Sequence, residues 1–358
     1  MNRKLLLVVI ALVLVLSLII PSCAKPAPAP APSAPATAAP PGTEYKYQWR
    51  NSANYPTGSE GADAMFRFGD LITERTKGRV TVTSYADGVL GGWDAIQEMV
   101  IRGDVEMMFE ALDDAFDPRI AVGYYIPYVF IDYDAAQKLW APGGYVFDTM
   151  NNKIVNLLGY RVLGAWCAGI GGITTRDVPK DPWNPDAPKN MKIRVMALTA
   201  CQLTAERLGY MAVGMPFADV YTSIQTGIVD GQQGGGTMQA YIFKDVNKCY
   251  LHYKDYIEPV WFSIGEKYWQ MLTEEDQKIF TETAQQMQNE QAGYAEEMDE
   301  KYMQMLKDYG WTVLVPTDAE WERMQQAVFD EVWPKLTPVI GKAIINDLYD
   351  ALGIPRPG

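Results

Sequence analysis

The stretches Met191-Lys-Ile-Arg-Val195 and Ile224-Gln-Thr-Gly-Ile-Val-Asp-Gly-Gln-Gln233 decide the fold. Their pattern predicts a short apolar strand, a helix, and a second strand that ends in a glycine-rich loop. Arg194 lies inside the first strand, where a buried cation is costly unless it has a partner. The simplest partner is a carboxylate that arrives from outside, so Arg194 is the first candidate ligand-binding residue.

The beginning of the chain predicts an extracytoplasmic address. Asn2-Arg3-Lys4 is a basic start, and Leu5 to Ile20 form an apolar or weakly polar run of 16 residues. We assign residues 1–22 to a signal peptide, because this run is a little short for a membrane-spanning helix. Cys23 follows in a context that resembles a bacterial lipoprotein cleavage site, so we predict a membrane-anchored lipoprotein in the periplasm or on the cell surface. An uncleaved N-terminal anchor is the alternative.

Residues 23–43 are predicted to be a lipidated cysteine followed by a tether. Ala24 to Thr43 contain seven prolines in an alanine-rich background. Such a segment cannot bury a core and stays extended, reaching roughly 60 Å at about 3.1 Å per residue. We expect it to hold a globular body above a bilayer.

The overall charge excludes one class of partner. The chain carries a net charge of −13, whereas nucleic-acid binding needs a basic face. We therefore expect no nucleic acid as a partner. A generally acidic surface also means that any anion site must be local and built around arginine.

The cysteines and the single histidine show no pattern typical of a metal site, a cofactor site or a catalytic site. Cys167, Cys201 and Cys249 show no CxxC or metal-binding spacing. Three buried thiols are the preferred interpretation, with one disulfide left open. His252 is the single histidine, and no hydrolase or zinc motif surrounds it. We expect it to be structural.

The hydrophobic periodicity alternates between strands and helices along the first part of the body. It predicts, in order, a strand at Tyr45–Trp49, a helix around residues 62–72, a strand at Val80–Val82, a helix at Asp94–Arg102 and a strand at Val105–Phe109. Gly103 is placed to close the second helix. Right-handed crossovers would make this βαβαβ unit a parallel sheet.

A long helix is predicted near the end of the body. Thr273 can cap it, the three acidic residues that follow suit its first turn, and Gly310 can end it after Tyr309. Its length of over about 50 Å exceeds a typical lobe, so we expect it to run across two lobes. A break near Gly293 is the alternative.

Several motifs, in order and spacing, resemble the substrate-binding proteins of tripartite ATP-independent periplasmic (TRAP) transporters, the DctP family. The resemblance extends from Tyr47 to about Trp311. The motifs are Glu74-Arg-Thr-Lys-Gly-Arg-Val80, Gly88-Val-Leu-Gly91, Lys192-Ile-Arg-Val195 and Val220-Tyr-Thr-Ser-Ile-Gln-Thr-Gly-Ile-Val-Asp-Gly231.

The family resemblance implies an α/β, two-lobed, periplasmic-binding-protein-like fold with hinge strands and a long helix spanning both lobes. The predicted lobes are 44–169 plus 260–299 and 170–259 plus 300–358. It also implies a protein that is not an enzyme, binds a small organic acid, and delivers it to the small and large permease subunits of a TRAP transporter.

The resemblance also suggests roles for individual residues. Arg194 matches the family's carboxylate-clamping arginine, whose planar fork suits a carboxylate bidentately; an internal ion pair is the alternative. Phe217 matches a position that packs on the ligand, although it could be a plain core residue. Asn51 ends the first strand and would supply an amide from the other lobe, unless it serves a turn.

Five further residues are candidate ligand contacts. Tyr55, Glu110 and Trp166 lie near predicted strand ends that face the cleft, with plain packing or solvent exposure as the alternative. Gln232 and Gln233 follow Asp230-Gly231 and could donate to the ligand.

Two departures from the family pattern bear on the ligand. Gly172 stands where many relatives carry a second ligand arginine, and Gly234 stands where they often carry an asparagine. We expect these glycines to open room while removing polar contacts, which favours an apolar monocarboxylate over a dicarboxylate or a sugar acid.

Two other function classes remain open. The first is a solute-binding lipoprotein that serves another importer or a sensor. The second is a secreted hydrolase that uses Asp113 and Asp114. Adjacent side chains on a strand point to opposite faces, so that pair is poorly placed for shared acid–base work.

Overall fold

The computed structural model describes residues 46–353, whose strands form two sheets. The predicted signal peptide, the lipid attachment at Cys23 and the tether lie outside the described residues. Within residues 46–353, no helix combines the length and apolar character needed to cross a bilayer.

The first sheet contains the predicted βαβαβ unit. Strand β1 (Tyr47–Ser52) pairs in parallel with both β2 (Val80–Tyr85) and β3 (Met107–Glu110). Helix α1 (Glu60–Arg75) and helix α2 (Trp93–Arg102) connect them. The Ser59 side chain accepts a hydrogen bond from the backbone of Ala62 at the start of α1, and Gly103 ends α2 at a φ of 76°. This part of the prediction is confirmed.

Two later strands complete the first sheet. Strands β4 (Tyr160–Ile170) and β10 (Ile257–Gly265) run antiparallel to each other, and β10 also pairs antiparallel with β3. The sheet order is therefore β2-β1-β3-β10-β4. Strand β10 is buried along its whole length, as expected for a strand covered on both faces.

The second sheet has the order β11-β9-β5-β8-β6-β7. Strand β6, which lies next to the edge strand β7, pairs in parallel with β7 and β8 and places Arg194 opposite Val213 and Gln232. The strands are β5 (Ile173–Thr175), β6 (Lys192–Val195), β7 (Met211–Gly214), β8 (Gly231–Gln233), β9 (Cys249–Leu251) and β11 (Thr312–Leu314). Among them lie the helices α5 (Thr199–Arg207), α6 (Val220–Thr226) and α7 (Thr237–Ile242).

Two strand connections cross from one sheet to the other. Strand β4 leads through Gly171 and Gly172 into β5, and β9 leads through residues 252–256 into β10. The two crossings are hydrogen-bonded to each other, since the Gly171 amide donates to the Tyr256 carbonyl at 2.8 Å. These are the crossing strands that the family resemblance implied.

The predicted long helix is interrupted, which corrects the single-helix prediction in favour of its alternative. Helix α9 (Glu274–Ala292) and helix α10 (Ala295–Asp308) are separated at Gly293 and Tyr294. Gly293 has a low helix propensity, and the Tyr294 amide donates to the Gln291 carbonyl in a tighter turn at 3.1 Å. Helix α9 contacts β4 and α1, whereas α10 contacts α7 and β11, so the pair still reaches both sheets.

The remaining helices pack around this frame. They are α3 (Tyr133–Trp140), α4 (Tyr145–Thr149), α8 (Glu266–Trp269), α11 (Asp318–Glu331), α12 (Trp333–Ile340) and α13 (Lys342–Leu352). The Tyr145 hydroxyl donates to the Ile344 carbonyl at 2.8 Å, and the Trp333 indole donates to the Pro127 carbonyl at 3.3 Å. Part of the predicted second lobe thus packs on residues assigned to the first, and the lobe boundaries themselves stay a prediction.

Asp299 of α10 ties three elements to the crossing region. Its carboxylate accepts hydrogen bonds from the Ile170 amide at 2.9 Å, from the Thr237 hydroxyl at 2.7 Å and from the Tyr133 hydroxyl. The residue is buried, and burial raises the pKa of its carboxyl, with the hydrogen bonds opposing that rise.

We predict that Asp299→Asn lowers the free energy of unfolding by about 1.5–3 kcal/mol, because three donors would face an amide with one acceptor oxygen. Urea denaturation measures the loss. Glu300→Gln, at an exposed neighbour on the same helix, should change stability by less than about 0.5 kcal/mol. Equal stabilities for the two variants would contradict this role of Asp299.

Candidate functional site

A cleft lies between residues carried by the two sheets. Its empty volume is about 550 Å³, counting its open mouth. The lining residues are Asn54, Tyr55, Pro56, Trp93, Glu110, Ala111, Tyr124, Arg194, Met196, Phe217, Gln239, Ile242 and Glu258. Apolar and aromatic walls with a few charged groups are typical of a small-molecule site.

Arg194 lies in this cleft and is 2% exposed. Its Nε donates to the Met215 carbonyl at 3.0 Å, and Nη1 donates to Gln232 Oε1 at 3.3 Å. Within residues 46–353, no carboxylate lies close enough to form an ion pair with it, so the internal ion pair is absent there. Burial lowers the pKa of the guanidinium, but arginine starts so high that it keeps its charge.

Phe217 and Gln232 lie on either side of the guanidinium. Phe217 follows β7 on a short turn, and its half-buried ring centre lies 5.9 Å from Arg194 Cζ, within the range of a cation–π contact. Gln232 does not line the cleft. Besides accepting from Arg194, it donates to the Gly234 carbonyl at 3.1 Å and so orients the guanidinium from behind.

Gln233 points away from Arg194, as expected for the next residue on a strand. Its Nε2 donates to the Tyr125 hydroxyl at 2.9 Å and to Asp255 Oδ2 at 2.8 Å. Gln233 therefore belongs to a buried network beside the crossing strands and does not line the cleft.

Tyr55 and Glu110 line the cleft on the side of the first sheet, whereas Trp166 and Asn51 do not. The Tyr55 ring packs against Trp166 with centroids 6.3 Å apart, so Trp166 supports the wall from behind. Asn51 is buried in β1, where neither side-chain polar atom has a hydrogen-bond partner. Asn54, three residues later in the loop, lies in the cleft wall instead.

Two buried carboxyl groups share the cleft. The Asn54 amide donates to Glu110 Oε1, and burial raises the pKa of the Glu110 carboxyl well above its ordinary value, with Glu258 adding to the rise. Burial also raises the pKa of Glu258 to about 7, against the lowering effects of Tyr124 and Arg194. Glu258 Oε1 accepts from the Tyr124 hydroxyl at 3.4 Å, and Oε2 has no hydrogen-bond partner in the described part of the chain.

Sequence reasoning missed Glu258, although a signal was present. Glu258 lies in the apolar run Ile257-Glu-Pro-Val-Trp-Phe262, just as Arg194 lies in an apolar strand. A charged residue in a strand that is otherwise buried is costly without a partner, and this reasoning would have selected both. Trp93, Tyr124 and Met196 carry no comparable signal, because aromatic and apolar residues are ordinary core residues.

The two glycines that depart from the family pattern differ in their surroundings. A side chain at Gly172 would lie 2.6 Å from the Leu251 carbonyl oxygen, so this glycine permits close packing and opens no room for a ligand. Gly234 has a φ of +121°, and a side chain there would lie 3.9 Å from Arg194 Nη1. Of the two expectations of added room, only the one for Gly234 agrees with the structure.

The groups that suggested other chemistry lie outside the cleft wall. Asp113 and Asp114 are in the loop after β3, and Asp113 Oδ1 accepts from the Ala115 amide at 2.9 Å. His252 is buried, and burial followed by the charge of Lys254 lowers its pKa to about 4. Cys167, Cys201 and Cys249 are buried free thiols, as preferred from the sequence.

Two sheets joined by crossing strands, with a cleft between them that contains a buried cation, are typical of a solute-binding protein. The chain belongs to the DctP family, bacterial extracellular solute-binding protein family 7, whose family model matches residues 52–337. This confirms the resemblance to TRAP substrate-binding proteins that the motifs indicated.

Characterised relatives are distant in sequence but similar in length. The chain is 22% identical over 317 residues to the C4-dicarboxylate-binding protein DctB of Bacillus subtilis, covering 86% of this chain and 85% of that one. It is 25% identical over 257 residues to the 2,3-diketo-L-gulonate-binding periplasmic protein YiaO of Escherichia coli, covering 71% and 77%.

Solved structures establish the two-lobed fold. The sugar acid binding protein DctPAm of Advenella mimigardefordensis, in complex with galactonate, has a TM-score of 0.77 at 21% identity, covering 87% of this chain and 99% of that one. A TRAP periplasmic solute-binding protein of Desulfovibrio salexigens with bound orotic acid has the same TM-score at 21% identity, covering 86% and 99%.

We predict a pH-dependent effect of Glu258 on stability. Its pKa rises from an ordinary value of 4.5 to about 7 on folding, so between these values the folded protein binds more protons than the unfolded chain. Relative to Glu258→Gln, the wild type should therefore lose about 3 kcal/mol of stability as the pH rises through this window, and no more above it.

Urea denaturation at intervals from pH 4 to pH 8 measures this difference. Glu322→Gln, at an exposed position on α11, should run parallel to the wild type across the range. A constant difference between the wild type and Glu258→Gln would show that Glu258 has the same pKa in both states.

Proposed function

We propose that this protein captures a small organic acid outside the cytoplasm and delivers it to the small and large permease subunits of a TRAP transporter. Arg194 carries the proposal, because a cation held by neutral oxygens in a cleft has room for an external carboxylate. A guanidinium fork binds a carboxylate through two parallel hydrogen bonds. The family membership supports a receptor that performs no chemistry on its ligand.

The proposed binding site uses residues from both sides of the cleft. Arg194 holds the carboxylate, Phe217 and Tyr55 supply flat walls, and Gln232 keeps the guanidinium in place from behind. The acids named for the relatives, which include C4-dicarboxylates, 2,3-diketo-L-gulonate and galactonate, share the carboxylate that this site would recognise.

The cleft wall supports a ligand with a single carboxylate and an apolar or aromatic body. Of the described residues that line the cleft, Arg194 is the only cation. Arg176, which could have supplied a second one, donates instead to the Ile224 carbonyl at 2.5 Å, and Lys180 is exposed. A second ligand carboxylate would be buried beside Glu110 and Glu258 without a cation, at a large desolvation cost.

The receptor is proposed to work while attached to a membrane. A lipid on Cys23 would anchor it, and the proline-rich segment would let the body reach the permease. Uptake of the labelled ligand by cells that carry the small and large permease subunits of a TRAP transporter, with and without this protein, tests the delivery step. Uptake that does not depend on the protein would favour a sensor or another importer.

We predict that Arg194→Ala weakens carboxylate binding by about 2–5 kcal/mol and leaves the fold intact, because one partner of a desolvated charge pair is removed. A thermal-shift screen of mono- and dicarboxylic acids and sugar acids first identifies a ligand, and titration calorimetry then measures its affinity. Arg102→Ala, on the exposed surface of α2, should bind as the wild type does. An unchanged affinity in Arg194→Ala would exclude the clamp.

We predict that Cys23→Ser abolishes lipid attachment. In a bacterial host, labelled palmitate should enter the wild-type protein and remain absent from the variant, which should leave the membrane fraction or stay uncleaved. Ser33→Ala, in the same proline-rich segment, should be labelled normally. Wild-type protein that never takes up palmitate would show that no lipoprotein is made.

A further inference from the structure

The cleft wall contains one cationic side chain and two carboxyl groups. The charged residues that line it are Arg194, Glu110 and Glu258, all at most 5% exposed. If the ligand carboxylate binds Arg194, two carboxyl groups remain in a cleft walled by aromatic rings. Burying carboxylates away from water is costly unless they are paired. The part of the ligand that lies beyond its carboxylate is therefore expected to supply a partner for one of them.

The two carboxyl groups differ in how their oxygens are satisfied. Glu110 accepts hydrogen bonds from the backbone amides of Asn54 and Ala111. Among residues 46–353, Glu258 accepts only the long contact from the Tyr124 hydroxyl, and its buried Oε2 has no hydrogen-bond partner. An orphaned buried acceptor in a cleft wall points to a donor that the ligand brings.

The surroundings of Oε2 favour a cationic donor. Tyr124, which contacts Glu258, packs against Trp93 with ring centroids 6.1 Å apart, and both line the cleft. Aromatic faces attract an ammonium through the ring quadrupole, and a carboxylate beside them adds a full opposite charge. A hydroxyl would satisfy the hydrogen bond but would leave the carboxylate charge uncompensated.

We propose that the ligand is zwitterionic, with its carboxylate on Arg194 and an ammonium group on Glu258. This rests on the proposed function, which it narrows from small monocarboxylic acids to amino acids with an apolar body. Arg194 belongs to the second sheet and Glu258 to the start of β10 in the first, so the ligand joins the two sheets through opposite charges. Glu110 forms part of the cleft wall and offers hydrogen bonds to the ligand.

Matched pairs of acids that differ in the cation test the proposal. Suitable pairs are 4-aminobutanoate and pentanoate, and leucine and 4-methylpentanoate. Calorimetry at pH 8 should show that, in at least one pair, the wild type binds the zwitterionic acid at least tenfold more tightly than the acid without the ammonium group. Glu258→Gln should remove that preference. Its affinity for the acid without the ammonium group should stay within about threefold of the wild-type value.

Proton release offers a second readout that needs no variant. The groups whose charges act on Glu258 or respond to it are Arg194, Glu110, Tyr55, Tyr124, Tyr256, Cys167 and Cys201. An ammonium placed on Glu258 should expel its proton at pH 6.5, so the binding enthalpy should depend on the ionisation enthalpy of the buffer. Glu258→Gln should show a smaller dependence, whereas the exposed control Glu322→Gln should behave as the wild type.

The outcomes separate this inference from the proposed function. If Arg194→Ala abolishes binding but the wild type binds the acids without an ammonium group as tightly as their zwitterionic partners, the ammonium site is wrong and the carboxylate receptor stands. A preference that survives in Glu258→Gln also overturns the assignment. If no acid of the panel binds while another carboxylic acid does, the ammonium site is wrong and the carboxylate receptor stands. If binding survives in Arg194→Ala, the proposed carboxylate clamp is wrong and the inference is wrong with it.

Discussion

The burial of one guanidinium group in strand β6 organises the second sheet. Arg194 must place several N–H donors where water cannot reach them, and it uses the carbonyl of Met215 and the side chain of Gln232. One partner follows β7 and the other lies in β8, the two neighbours of β6. Because parallel pairing brings these partners to the same edge, the chain between residues 191 and 233 forms one unit around a charge.

Local patterns were sufficient to predict the units of the fold but not their assembly. Periodicity and turn residues identified the βαβαβ unit, because each of its strands and helices is encoded by neighbours in the chain. The insertion of β10 between β3 and β4 depends on pairing between residues at least 87 positions apart, such as Ile257 and Ile170, which no local pattern carries. The break at Gly293 was left open for a related reason, since helix propensity is a weak signal that tertiary packing overrides.

The candidate site shows the same division. Arg194, Phe217, Tyr55 and Glu110 line the cleft because proximity to the cleft end of a strand or turn was enough to place them. A position at a strand end specifies the edge of the sheet at which a residue lies, but not the face to which its side chain points. The sequence therefore could not show that Gln233 joins a separate hydrogen-bond network or that Asn51 is buried within β1. Glu258 could have been found by the reasoning applied to Arg194, that a charge in an apolar strand needs a partner.

The positions of the two charges link ligand binding to the architecture. Residues 252–256 cross between the sheets and lead directly to Glu258, while Arg194 is held in strand β6 of the second sheet. A ligand that contacts both would connect a crossing strand to the sheet beyond it. Each charge alone resists removal from water, and the cost falls when an opposite charge arrives. Binding in the cleft is therefore least costly when the ligand supplies both partners, so ligand selectivity and the link between the two sheets would share one electrostatic origin.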